Sequence, residues 1–261
     1  TRKESSAASD VYKRQVRSFE SASVWQILFL RSFFFLIAIT FFLLITYKKN
    51  TLKIIKNSGF PGFLGGFVMS FSFVSFVVAM SNTTVANVVF IISTQSMFLA
   101  IFGYFYLKEK VSLTGFISIT LAMTGILIMV GDSLSTGSLF GNLIALAIPI
   151  NFSILVMIIR KNSNLDMVPA IFYSGIFSCI YGLFLSESFI FTNRDIFMGF
   201  LLGVPQLAIG FICITIGSRS TASATIGLLM LSETVCGPIW VWLFLNEIPP
   251  PSAVSYTHLR A

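Results

Sequence analysis

The sequence predicts an all-α membrane protein built from two inverted copies of one helical unit, and three observations carry that prediction. Of the 261 residues, 56% are hydrophobic and 10% charged, with a mean hydropathy of +0.89; a soluble domain of this length could not bury so much apolar surface. Eight apolar runs, each near the length that crosses a bilayer, follow one another with only short turns between them. The stretch Thr83–Glu109, TTVANVVFIISTQSMFLAIFGYFYLKE, lies without a gap on Thr221–Glu247, TASATIGLLMLSETVCGPIWVWLFLNE, 138 residues later. Each copy opens on a hydroxyl-rich turn, runs apolar with one polar break near its middle, turns aromatic and closes on a glutamate.

The chain opens with a polar tract, TRKESSAASDVYKRQ, that has no helical period and no apolar region of signal-peptide length. The apolar runs then occupy 27–47, 61–81, 84–107, 112–130, 139–159, 167–186, 196–217 and 221–245. The turns between them, rich in Gly, Ser, Asn, Asp and Pro, are too brief to fold alone, so one bundle is expected, with no dividing linker. Alternate connections differ sharply in charge. One side carries Lys48, Lys49, Lys53, Lys56, Lys108, Lys110, Arg160, Lys161 and Arg219; the other has only Arg194, with Asp132, Glu187, Asp195 and Glu247. Lysine and arginine mark the cytoplasmic side, so the segment 48–60 is expected to face inward and residues before Val24 outward.

The 138-residue shift also carries 27–47 onto 165–185 and 61–81 onto 199–219, both within or beside observed runs. Applied to 112–130 it asks for a span at 250–268, and applied backwards to 139–159 it asks for one at 1–21; neither is apolar. The expected organisation is therefore two five-helix repeats, 24–131 lacking its first helix and 138–251 lacking its last, with non-native tracts at 1–23 and 252–261. An odd number of spans per repeat inverts the second copy, placing Glu109 on the inner side and Glu247 on the outer.

The twin endings FYLKEKVS and LFLNEIPP, and LSETV at 231–235, resemble the repeated motifs of the EamA-type permeases of the drug/metabolite transporter superfamily, with Lys108 and Asn246 where glycine is usual and Thr234 where proline is usual. The resemblance covers about 24–251 and implies ten helices in two inverted five-helix repeats, and export as the direction of transport. The tails VYKRQ and SYTHLRA resemble translated adapter sequence, which suits a chain truncated at both ends.

Glu233 is the sharpest single signal. It is the thirteenth residue of its run, where an ionised carboxylate costs about 2.5–3.5 kcal/mol. Such a residue should face the bundle interior, either packing helices or lining a transport route. The repeat shift lays Glu233 on Gln95, so carboxylate and amide stand at matching depth. Asn151 and Gln206 are further mid-span amides beside Pro149 and Pro205, each of which removes a backbone hydrogen bond and favours a kink. Each amide suits helix-to-helix bonding as well as substrate contact. Trp240 is the deepest residue of an aromatic end that otherwise reads as interfacial anchoring with Tyr104 and Trp242; it is kept as a cavity wall. Asn87, one turn inside its span, joins the pathway candidates or is satisfied by its own helix start. Glu109 and Glu247 read as solvated end charges, and Arg31 as a residue snorkelling outward. Cys179, Cys213 and Cys236 read as small buried apolar residues.

The function expected is a secondary transporter of a small metabolite in the cytoplasmic membrane, working by alternating access in the lipid bilayer with proton or sodium coupling. The alternative is a non-transporting or lipid-flipping membrane subunit, and behind it a membrane-embedded enzyme. No metal cluster, phosphate loop or nucleophile-base pair stands in the sequence, so neither enzyme nor cofactor is expected. The net charge of +7 sits in membrane-flanking turns and does not point to nucleic acid.

Overall fold

A computed structural model describes residues 22–83, 85–110 and 139–230, with separate positions between 113 and 124. Every element among these residues is helical, and no strand occurs among them. In chain order they are α1 (Val24–Tyr47), a 3-10 turn (Lys48–Asn50), α2 (Thr51–Asn57), α3 (Gly59–Asn82), α4 (Val85–Ser93), α5 (Gln95–Leu107), α6 (Leu139–Lys161), α7 (Val168–Leu185), α8 (Asn193–Leu201), a π-helical segment (Leu202–Ala208) and α9 (Ile209–Gly217). Residues 223–230 begin a further helix.

Among the described residues six helical stretches are long and apolar enough to cross a membrane, and they match six of the eight apolar runs. The run 112–130 lies largely, and 221–245 beyond Met230, outside the described residues. Glu233, Trp240, Trp242, Cys236 and Glu247 fall there too.

Helix boundaries follow local chemistry. Ser23 and Gln26 close a capping box at the start of α1, and Thr192 and Asp195 close another at the start of α8. Asp166 accepts the Val168 backbone N–H at 3.1 Å and so satisfies a donor that opens α7, where Pro169 lies in the first turn and forfeits no bond. The segment 48–60 is not an irregular loop: the Thr51 hydroxyl donates to the Leu43 and Lys48 carbonyls, tying the turn back onto α1, and α2 follows directly.

Two runs read as single spans are interrupted. The span over 84–107 breaks at Thr94, between α4 and α5, at the polar break seen in the sequence. Ser93, Thr94 and Ser96 turn their hydroxyls back onto the Phe90, Ile91 and Ser93 carbonyls, at 2.6, 2.6 and 3.1 Å. The span over 196–217 widens around Pro205 into the π segment, which accommodates a residue that cannot donate to the helix ladder.

The core is a seam of large apolar side chains. Leu28, Phe35, Ile39 and Leu43 of α1 meet Met69, Phe73 and Val77 of α3, Phe152, Leu155 and Ile159 of α6, and Ile171 of α7. Glycine sets the tightest crossings. A side-chain carbon at Gly66 would stand 2.5 Å from the Ala170 carbonyl oxygen and 3.0 Å from the Ser174 nitrogen; at Gly203 it would stand 2.6 Å from the Arg31 carbonyl oxygen and 2.9 Å from the Phe35 nitrogen.

Candidate functional site

The buried stripe of α1 runs through Leu28, Arg31, Ser32, Phe35, Ile39 and Leu43, at helical spacing. Arg31 is therefore turned inward with its apolar neighbours, and the expectation that it snorkels outward is overturned. It is only 5% exposed, donates from Nη2 to the Phe73 carbonyl at 3.2 Å, and stacks its guanidinium over the rings of Phe73 and Phe76 at 5.5 and 4.9 Å. Ring faces and a carbonyl replace part of the hydration that a cation loses inside a membrane. Phe35, Phe73 and Phe211 pack edge to face beside it.

Gln95 is 9% exposed and begins α5 directly after the break at Thr94. Asn151 is half-buried on α6, two residues beyond Pro149, whose carbonyl accepts the Ser153 hydroxyl at 2.7 Å. Gln206 lies in the π segment and is exposed, while Gly203 of the same segment faces α1. Asn87 is fully buried at the opposite end from the lysine-rich turns, where it donates to the Thr83 hydroxyl at 3.2 Å and to Asn142 at 3.1 Å. Asn87 is thus bonded to its own helix start and to α6. Gln95, Asn151 and Gln206 stand on three different spans, and among the described residues no hydrogen bond joins them to one another.

Glu109 is not a freely solvated end charge. It forms an ion pair with Arg160, whose Nε donates to Oε1 at 2.5 Å, and its Oε2 accepts the Ser223 backbone N–H at 2.8 Å. Arg160 also donates to the Ser218 carbonyl at 3.3 Å and to the Thr221 carbonyl. A second cluster lies at the same end, where Arg219 pairs with Asp166 at 2.5 Å and the Tyr47 hydroxyl donates to Asp166. These side chains are 16–28% exposed, so water screens the two pairs only partly. The sequence reading placed Arg160 and Arg219 on the lysine-rich side as flanking charges; what it missed is their partners, which come from other helices and leave no spacing signal in the chain. For Arg31 a signal did exist, the stripe that it shares with Phe35 and Ile39. Tyr104, at 57% exposed, takes the outward position expected of an anchor, whereas Cys213 is exposed and not buried, since its face of α9 is turned outward from the bundle.

Stacked apolar spans of this length, two of them interrupted, define a multi-pass helical membrane protein. Residues 5–131 match the EamA-like transporter family. The chain is 24% identical over 221 residues to an uncharacterized transporter of Clostridium kluyveri, covering 77% of this chain and 69% of that one. It is also 24% identical over 184 residues to an uncharacterized transporter of Methanothermobacter thermautotrophicus, covering 66% of this chain and 53% of that one, so it spans about half of that relative's length. A solved crystal structure of another protein shares the fold, with a TM-score of 0.79 at 13% identity over 98% of this chain and 90% of that one. The EamA-like domain in the first half of the chain and the transporter-named relatives support a membrane transporter similar to the EamA-type permeases of the drug/metabolite transporter superfamily.

Proposed function

We propose that this permease moves a small metabolite across the cytoplasmic membrane by alternating access, as two inverted five-helix repeats rock about a shared axis. The observation that carries the reading is a helix crossing made twice. Gly66 approaches the Ala170 carbonyl and the Ser174 amide, and Gly203 the Arg31 carbonyl and the Phe35 amide; each glycine meets a carbonyl and the amide four residues on. The glycines are 137 residues apart and their partners 139, bracketing the 138 of the sequence repeat. Phe73 and Phe211 are themselves 138 apart and touch at 5.5 Å between ring centroids, as residues beside a two-fold axis do. This supports the inverted repeat and the ten-helix architecture that goes with it.

The break before Gln95 and the π segment holding Gln206 support a substrate site at mid-depth, because carriers of this design build their sites on interrupted helices. Glu233 is the coupling or cation-binding acid of that site, Gln95 and Asn151 line it, and Trp240 closes a wall. Transport runs outward, with a proton or sodium ion as the coupled species. A growth-protection screen of cells expressing the protein, against a metabolite panel, identifies the substrate. Glu233→Gln then abolishes pH-driven transport while folding is intact, since the amide keeps the shape of a neutral acid but cannot release a proton. Gln95→Ala impairs the same substrate. Unaltered rate, affinity and pH profile in both variants would remove these residues from the site.

A further inference from the structure

We infer that Glu109–Arg160 and Tyr47–Asp166–Arg219 form a charge latch that holds the carrier closed on its lysine-rich face, and that its ion pairs are not repeated at the repeat-related positions. The inference rests on the alternating-access reading above and adds which contacts bias it. Tyr47 and Glu109 belong to the first repeat; Arg160, Asp166 and Arg219 belong to the second. Both clusters therefore bond one repeat to the other, at the same end of the bundle.

They also converge on one short segment. Arg160 holds the Ser218 and Thr221 carbonyls, Glu109 holds the Ser223 amide, and Arg219 between them holds Asp166. The turn 218–223 is thus gripped from α6, from the end of α5 and from the start of α7. If the repeats rock apart at this face, both ion pairs and the Tyr47 bond break together.

The repeat makes the asymmetry legible. An inverted carrier closed on the other face would use the positions 138 residues away, and these are Ala22 for Arg160, Leu28 for Asp166, Ser81 for Arg219 and Leu185 for Tyr47. Glu109 maps onto Glu247, the one charge among the five, and the position that would pair with it, Ala22, is uncharged. The two ion pairs that close the lysine-rich face are therefore not reproduced at the repeat-related positions.

The test is a distance measurement between paired spin labels on the whole chain in lipid nanodiscs, with Cys179, Cys213 and Cys236 replaced by alanine. One label pair, at Lys49→Cys and Ser163→Cys, spans the lysine-rich face; a second, at Asn82→Cys and Glu187→Cys, spans the other. With the latch intact, the Lys49/Ser163 pair shows mainly its short distance. Glu109→Gln with Asp166→Asn raises the ratio of long to short distances at that face by about tenfold, and the opposite pair shortens in step. Tyr47→Phe removes one hydroxyl, shifts the ratio in the same sense by less, and stands in if the double variant does not fold. Arg219→Lys, which keeps the charge, keeps the short distance. Unchanged distances in the neutral variants, with only a lowered melting temperature, would make the two clusters simple struts and overturn the latch. Distances at the two faces that never move in opposite senses, in any variant, would overturn alternating access itself.

Discussion

Lys108 takes a backbone conformation that favours glycine, the residue expected there from the motif it resembles. Its φ of 55° places it in the left-handed region at the end of α5, with the Glu109 N–H returning to the Gly103 carbonyl at 3.0 Å. Lysine in that conformation costs about 1 kcal/mol relative to glycine. Lys108→Gly is therefore expected to raise the melting temperature in mild detergent without altering the Glu109–Arg160 pair. Arg31 gives the opposite expectation. Lysine keeps the charge but cannot stack a flat guanidinium on Phe73 and Phe76 while donating to the Phe73 carbonyl. Arg31→Lys should lower stability by about 1–2 kcal/mol, the scale of a desolvated cation–π contact, and thermal unfolding of the purified variant measures it.

At the scale of helices, the crossings at Gly66 and Gly203 are the joints of the bundle. A methyl at Gly66 would stand 2.4 Å from the Tyr173 Cβ, and one at Gly203 2.8 Å from the Phe34 Cβ, with backbone atoms equally near. Neither backbone can yield without separating two helices. Gly66→Ala and Gly203→Ala should each destabilise by about 1–3 kcal/mol, the range for overpacking. Gly210 meets nothing within 4 Å, so Gly210→Ala should be neutral or stabilising by up to about 1 kcal/mol through helix propensity. Parallel melts of the three variants separate close approach from a general intolerance of larger residues.

For the molecule as a whole, the bonds sort the chain into two ends. Tyr47, Glu109, Arg160, Asp166, Arg219 and Ser223 gather at one; Gln26 with Ser188 and Asn87 with Asn142 lie at the other. The lysines of the turns therefore share one face, as the alternate-loop count requires, and that face is expected to be cytoplasmic. In right-side-out vesicles of a cysteine-free background, Glu187→Cys should react with an impermeant thiol reagent and Lys53→Cys should not. The reverse pattern would invert the topology and exchange the inner and outer ends of every helix.

How much of this was legible in the chain follows from what each signal depends on. Spans, their order and the segregation of charge depend on composition over twenty residues at a time, and hydrocarbon admits few other solutions, so those features were readable before any coordinates. The polar residues around Thr94 were visible inside an apolar run, but not that they would interrupt the helix there. The π segment was half legible, since Pro205 announces a disturbed ladder but not whether it becomes a kink or a widened turn. The direction in which Arg31 points, and the partners of Arg160 and Arg219, depend on how helices far apart in sequence rotate against one another. Glu109 and Arg160 are 51 residues apart and Tyr47 and Asp166 are 119 apart. Local propensity carries no information about such pairings. Only the packing of one apolar stripe against another turns Arg31 inward and brings four charges to one face, because the orientation of each helix is set by the side chains it must bury and not by the charges it happens to carry.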